Sequence, residues 1–265
     1  MDEVAWIDLA YPYTAFVLAY LLGSLSFAVI VSKAMRLPDP REYGSGNPGA
    51  TNVLRSGHKL AAVATLLLDA AKGYVAVSLA QHYSLRFDFD DTTIAFCGVA
   101  AFIGHLFPVF FRFQGGKGVA TAAGVLLAYE PMLGVATLLI WALVALITRY
   151  SSLAAILASM FAPVFMIAYY DRPTGTLAVA VMSLLLVWRH WRNILRLTRG
   201  SEPRIGEKEQ PKKRRRHRKL RSAPIGEFRP SMLDASMSTQ TGEPPELPVV
   251  GSPSVPEYRG SKESH

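Results

Sequence analysis

"LAAVATLLLDAAKGYVAVSL", Leu60 to Leu79, is apolar along its whole length except at Asp69 and Lys72. Roughly 20 apolar residues in a helix cross a hydrocarbon core of about 30 Å, so this stretch reads as a membrane span. Ionisable groups are costly alone in a bilayer, and two of opposite sign three positions apart share a helix face. Asp69 and Lys72 therefore read as a buried structural ion pair, with a proton relay as the other reading.

Working outward, Tyr13 to Val31, Thr92 to Phe111 and Pro131 to Thr148 are uncharged, and Ser151 to Tyr170 follows the same rule. Val119 to Tyr129 and Thr174 to Trp188 are short for full spans, which suits half-helices, tilted segments or a locally thinned bilayer. The expected fold is an all-α integral membrane protein of about seven transmembrane helices, some short.

Charge is segregated along the 265 residues: 51% are hydrophobic, yet the net charge is +8, and seventeen of the 28 Lys and Arg residues follow Trp188. Cytoplasmic loops are enriched in Lys and Arg. Lys33, Arg36, Arg41, Arg55 and Lys59 lie in one loop, whereas His82 to Asp91 holds one Arg against three Asp. Alternation then puts Arg112, Lys117, Arg149 and the Arg189 to Arg221 region on the side of the first loop. The expected topology has the N-terminus outside and the C-terminus in the cytoplasm. Met1 to Pro12 lacks a basic residue, so the first helix is expected to be retained rather than cleaved. Residues 1–205 read as a membrane domain and residues 206–265 as a disordered, Pro/Ser-rich basic tail. Its run "PKKRRRHRKLRS", Pro211 to Ser222, suits weak contact with anionic lipid headgroups. Cys97 is the single cysteine and excludes an intramolecular disulfide.

Three polar islands fall on the expected cytoplasmic face. In "EYGSGNPGATNVLRSG", Glu42 to Gly57, Gly44, Gly46 and Gly49 let backbone N–H groups converge on an anion. Ser45, Asn47, Thr51 and Asn52 add hydrogen-bonding groups, and Arg55 adds a planar fork suited to phosphate or carboxylate. An ordinary turn needs only two or three such residues. In "GHLFPVFFRFQGGKGVATAAG", Gly104 to Gly124, Gly115, Gly116 and Gly118 flank Lys117 just before an apolar helix. That combination suits phosphate, though a glycine hinge with a snorkelling lysine also fits. The Walker A spacing is missing, so nucleotide hydrolysis is not implied. His105 reads either as a ligand or as a helix-end histidine bonded to backbone. The third island is split between "RYSSL", Arg149 to Leu153, and "WRHWRNILRLTRGSEPRIG", Trp188 to Gly206. Arg189, Arg192, Arg196 and Arg199 recur at helical spacing and read as a headgroup-anchored face. His190 and Asn193, three apart, lie on a neighbouring face.

Other chemistries lack their residues. Five positions after His58, His82, His105, His190 and His217 stand Val63, Phe87, Phe110, Leu195 and Ser222, so the HxxxxD pair of the widespread glycerolipid acyltransferases is missing. No GxSxG, HExxH or paired CxxC occurs, so neither a serine nucleophile nor zinc is supported. A transporter would carry an internal repeat, and none is seen.

Phosphate-suited loops at the mouth of an apolar bundle point to a substrate charged at one end and a greasy partner. "GSGNPGATNVLR", "GHLFPVFFRFQGGKGVAT" and "RHWRNILRL…GSE" resemble, in order and spacing, the three motifs of the PlsY family of acyl-phosphate:glycerol-3-phosphate acyltransferases. The resemblance runs from about Tyr13 to Ile205. It implies a multi-pass enzyme of the bacterial inner membrane, active site facing the cytoplasm, that makes lysophosphatidic acid and phosphate in the first step of phospholipid synthesis. Its partners would be acyl phosphate, glycerol 3-phosphate and the bilayer, with no nucleic acid, metal or cofactor. Carried over position by position, Ser45, Arg55, Lys117, His190 and Asn193 become the candidate catalytic residues. Asn47, Thr51, Asn52, Gly115, Gly116, Gly118 and Ser152 become substrate-binding candidates, and Glu202 joins Asp69 and Lys72 as structural. Ser152 matches one serine of a family segment whose second serine is replaced by Ala155. His190 is the obvious general base, but a substrate phosphate oxygen can take the same proton, which favours a binding role for it.

Overall fold

The computed structural model describes residues 3–207; the expected basic run at Pro211 to Ser222 and nearly all of the tail lie outside the described residues. Among the described residues there are eleven α-helices and no strand. They are α1 (Glu3–Gly23), α2 (Phe27–Ala34), α3 (Ala50–Arg55), α4 (Lys59–His82), α5 (Ser84–Phe87), α6 (Asp91–Leu106), α7 (Val119–Tyr129), α8 (Pro131–Thr148), α9 (Ser151–Tyr169), α10 (Pro173–Arg189) and α11 (Trp191–Thr198). All seven apolar segments read from the sequence are helical. Helix α4, α6 with its 3-10 extension, α8 and α9 are each long and apolar enough to cross a membrane, while α7 and α10 are shorter. Leu139, Leu146, Ile147, Ile167 and Leu184 are exposed on these helices. A continuous apolar exterior of this kind suits lipid rather than water.

The segment Tyr13 to Val31, expected as one span, is instead two helices bent by 42° at Ser24 to Ser26. A break frees backbone groups that lipid cannot satisfy. Here Ser24 Oγ donates to Tyr20 O at 2.8 Å, and Lys72 Nζ from α4 donates to Leu25 O at 2.7 Å. The lysine that looked like half of an ion pair therefore also caps a broken helix.

Small residues set how closely the helices pack, as is usual where lipid offers no hydrophobic driving force between them. A Cβ at Gly124 of α7 would overlap the Ala70 carbonyl of α4, and one at Gly73 of α4 would overlap the Thr121 carbonyl of α7. Between α1 and α6, Gly23 meets the Ala101 backbone and Gly104 meets the Tyr20 carbonyl in the same way. The core formed largely by α6, α7, α9 and α10 is filled by Phe102, Leu106, Leu126, Tyr129, Met166, Met182 and Leu186. Its small-residue faces leave a cavity between helices that opens among the three polar islands.

Candidate active site

The first island folds as a loop leading into α3. Gly44 and Gly46 have φ of 58° and 69°, the left-handed region that glycine enters cheaply. Asn52, only 2% exposed, clamps this loop. Its Nδ2 donates to Pro40 O at 2.7 Å and Tyr43 O at 3.2 Å, and its Oδ1 accepts from Ser45 N and Ser45 Oγ. Both amide protons and both acceptor directions are thereby used. Asn52, expected as a substrate ligand, lines the cavity while its amide holds the loop in shape. Ser45, Asn47, Thr51 and Arg55 line the cavity mouth, and Thr51 is exposed there.

The second island differs from the anion cradle expected of it. Gly115 and Gly116 are buried and pressed against α6, where a Cβ would overlap the His105 and Leu106 carbonyls or the His105 ring. Gly116 N donates to His105 O, so that N–H is not free for a phosphate. Their carbonyls accept from Arg189, at 2.8 Å for Gly115 and at 2.9 and 3.1 Å for Gly116. Gly118 takes φ 83° and starts α7 beside the Phe102 ring. Gly115 and Gly116, expected as substrate contacts, pack closely against α6, whereas Gly118 and Lys117 line the cavity.

The third island closes the site. Lys117 Nζ donates to Asn193 Oδ1 at 2.6 Å, and Asn193 Nδ2 donates to Glu202 Oε1 at 2.6 Å. Ser152 Oγ donates to the same Oε1 at 2.6 Å, and Arg196 Nε donates to Glu202 Oε2 at 2.7 Å. Ser152, expected as a substrate ligand, is 3% exposed and lines the cavity with its proton committed to Glu202. Glu202 itself, after α11, is held in place by a short return in which Ile205 N donates to Arg149 O and Arg149 Nη2 to Ile205 O. Arg189 and Arg196, read as part of a headgroup-facing row, point instead to the glycine loop and to Glu202. Helical spacing did not separate them from the exposed Arg192 and Arg199.

Burial pushes the Lys117 ammonium down to about 8; Glu202 works against that, while Arg196, Arg55 and Arg189 add to it. Burial would raise the Glu202 carboxyl, but hydrogen bonds from Ser152, Asn193 and Arg196 outweigh it and hold the group below its ordinary value. His190 is 2% exposed and is pushed down to about 4, by burial first and then by Lys117. Its Nδ1 lies 2.8 Å from Leu186 O, an acceptor only, so Nδ1 carries the proton and Nε2 of the neutral ring is an acceptor.

Below this mouth lies a buried polar cluster around Asp69. Lys72 and Asp69 pair at 2.9 Å with side chains 1% and 3% exposed. His105 Nδ1 lies 3.5 Å from Asp69 Oδ1 and 3.2 Å from Thr121 Oγ1. Thr121 Oγ1 in turn donates to Asp69 O at 2.9 Å. His105 was one histidine among six, and nothing near it in sequence named Asp69 as its partner.

Ser45, Asn47, Arg55, Lys117, His190 and Asn193 thus converge on one cavity of about 410 Å³, whose deeper walls are apolar. Among the described residues no cluster of His, Cys, Asp and Glu could hold a metal ion. The arrangement gathers two cations, a neutral imidazole and hydroxyl and amide groups around a space continuous with a greasy slot. That chemistry suits a phosphate head oriented against an apolar chain.

Residues 13–200 match the family model described as glycerol-3-phosphate acyltransferase. The chain is 62% identical over 194 residues to a glycerol-3-phosphate acyltransferase of Paraburkholderia phytofirmans, covering 73% of this chain and 91% of the relative. It is 61% identical to that of Paraburkholderia xenovorans with the same coverages. Two crystal structures of PlsY (YgiH), an integral membrane glycerol 3-phosphate acyltransferase, share the fold at 38% identity. The glycerol 3-phosphate form gives a TM-score of 0.69, covering 74% of this chain and 96% of that one. The lysophosphatidic acid form gives 0.67, covering 74% and 95%. With both a family model and close relatives spanning its helical body, this chain belongs to the glycerol-3-phosphate acyltransferase family and is an acyltransferase.

Proposed function

We propose that this enzyme transfers a fatty acyl group from acyl phosphate to the 1-hydroxyl of glycerol 3-phosphate, releasing inorganic phosphate. The observation that carries it is one cavity with Arg55, Lys117 and His190 at its polar end and an apolar slot beneath. Solved relatives in glycerol 3-phosphate and lysophosphatidic acid forms support the acceptor and the product.

Acyl phosphate is already activated, so alignment and charge management are what the protein must supply; orientation alone is worth about 7–11 kcal/mol. Lys117, steadied by Asn193, holds one phosphate. Arg55, Ser45 and Asn47 stabilise the other phosphate and the developing oxyanion. The hydroxyl oxygen attacks the acyl carbon, the new ester C–O bond forms, and the acyl–phosphate C–O bond breaks with its electron pair leaving on phosphate. The hydroxyl proton passes to a phosphate oxygen, while His190 Nε2 accepts from the other hydroxyl of glycerol 3-phosphate and so orients the acceptor. A group pushed down to about 4 is a weak base at neutral pH, which favours orientation over proton abstraction.

The loop charges support an inner-membrane enzyme with its N-terminus outside and its active site facing the cytoplasm. The tail beyond residue 205 would be a separate segment touching anionic headgroups weakly. Removing residues from Lys208 onward should then reduce binding to anionic vesicles without lowering turnover.

The test is phosphate release by purified protein given palmitoyl phosphate, with and without glycerol 3-phosphate, beside the same assay with palmitoyl-CoA. Release that requires glycerol 3-phosphate is expected from palmitoyl phosphate alone. Acyl transfer from palmitoyl-CoA only would overturn the donor.

A further inference from the structure

Asn193 aims the tip of Lys117, but that contact does not fix where the lysine's backbone stands. The residue before it does. Gly116 N donates to His105 O at 3.1 Å, and Arg189, reaching over from α10, donates to Gly116 O at 2.9 and 3.1 Å. The His105 ring makes a further contact. A Cβ on Gly116 would overlap Nε2 of that ring, lie 3.0 Å from its Cε1 and lie 2.9 Å from Pro48 O. The imidazole, the glycine that precedes Lys117 and the carbonyl of Pro48 in the first island therefore meet at one point.

A ring positions its neighbour only if it cannot turn, and this one is held along its other edge. Nδ1 lies 3.2 Å from Thr121 Oγ1 and 3.5 Å from Asp69 Oδ1. Thr121 has committed its own proton to Asp69 O, and a carboxylate only accepts, so Nδ1 is the donor and carries the proton. Asp69 is fixed in turn by Lys72 at 2.9 Å, and Lys72 also donates to Leu25 O at the break in the first span. The ring on α6 is thus set by side chains of α4 and α7. His105 is 7% exposed and Asp69 2%, which leaves little water to compete for these contacts.

We propose that His105 is a positioning residue for acceptor binding: its clamped ring sets the Gly116–Lys117 backbone, and with it the place of the ammonium, against the first island. Asp69 and Thr121 act through the ring and touch no substrate. A displacement of about 1 Å in a group that orients a reactant costs up to roughly 100-fold, so a slack ring is felt at the site although the ring does no chemistry. This inference rests on the reading that Lys117 holds glycerol 3-phosphate.

The test is steady-state kinetics of His105→Ala, Thr121→Val, Gly116→Ala and the double replacement Gly116→Ala with His105→Ala, with Lys117→Ala and the thermal midpoint in detergent measured beside them. For His105→Ala, KM for glycerol 3-phosphate is expected to rise roughly 10- to 100-fold, with kcat and KM for palmitoyl phosphate near their original values. Thr121→Val keeps the shape of the side chain and removes the Nδ1 partner, so it should show a smaller rise of the same kind and carries the test if His105→Ala does not fold. Gly116→Ala alone should also raise the acceptor KM. Its Cβ strikes the ring, so in the double replacement the rise should fall well short of the product of the two single effects. An unchanged acceptor KM in both His105→Ala and Thr121→Val overturns the proposal. So do single effects that simply multiply, or a parallel loss of both KM values and the midpoint. If Lys117→Ala raises the acceptor KM while the His105 and Thr121 variants do not, this inference alone fails; if Lys117→Ala leaves it unchanged, the reading beneath it fails as well.

Discussion

Lys117 Nζ and Asn193 Oδ1 meet at 2.6 Å, although 76 residues separate them in the chain. Asn193 also donates to Glu202, so one amide links the loop before α7 to the return after α11. The ammonium is thus aimed without being neutralised directly by a carboxylate, which leaves its charge available to a phosphate.

Removing that amide should scatter the lysine. For Asn193→Ala we expect kcat/KM for glycerol 3-phosphate to fall roughly 10- to 100-fold, the range for a lost hydrogen bond to a charged group. KM should carry more of the loss than kcat, and steady-state kinetics at saturating acyl donor will show the division. A fall in kcat with KM unchanged would remove Lys117 from acceptor binding.

The pH profile should show the lysine directly. Lys117 is pushed down to about 8, so it is mostly charged at pH 7 and loses its proton as pH rises through 8. We expect kcat/KM for the acceptor to decline above pH 8, approaching about tenfold per unit. In Lys117→Arg, whose guanidinium stays charged, the residual activity should lack that limb.

Glu202 is the anion that holds the lysine's proton on, so neutralising it has a signed consequence. In Glu202→Gln the basic limb should move below pH 8, because burial and the neighbouring arginines then act on Lys117 unopposed. A limb that stays in place would show that the carboxylate acts only through its hydrogen bonds.

Breaking the Asp69–Lys72 pair should be severe. Lys72→Ala strands a buried carboxylate and the Leu25 carbonyl, and the loss of a partner from a buried pair costs roughly 3–5 kcal/mol. We expect a large drop in thermal midpoint in detergent, partly restored by the double replacement Asp69→Leu with Lys72→Met. A proton relay would instead give a folded, inactive single variant.

The α4–α7 contact is equally specific. Gly124→Ala places a methyl into the Ala70 carbonyl, and overpacking of this kind costs about 1–3 kcal/mol. Thermal unfolding in detergent should show the loss as a lowered midpoint.

Read alone, Leu60 to Leu79 and its companions sufficed for a seven-segment helical membrane protein, because a bilayer demands about 20 apolar residues wherever a helix crosses it. The three polar islands were legible for the same reason, since glycine, lysine and arginine are conspicuous between apolar runs. Residue types and spacing also brought Ser45, Arg55, Lys117 and His190 forward as candidates. What each side chain does with its hydrogen bonds was not legible, because its partners lie far away in sequence. Only the folded chain shows that Asn52 donates to Pro40 and Tyr43 and that Ser152 donates to Glu202. Tertiary structure alone likewise separates Arg189 and Arg196 from Arg192 and Arg199 on one basic helical row. It also turns Lys72 into the cap of a broken first span. Apolar length is a local property that a sequence displays, whereas hydrogen-bond satisfaction is decided by which surfaces the packed helices bring within 3 Å of one another.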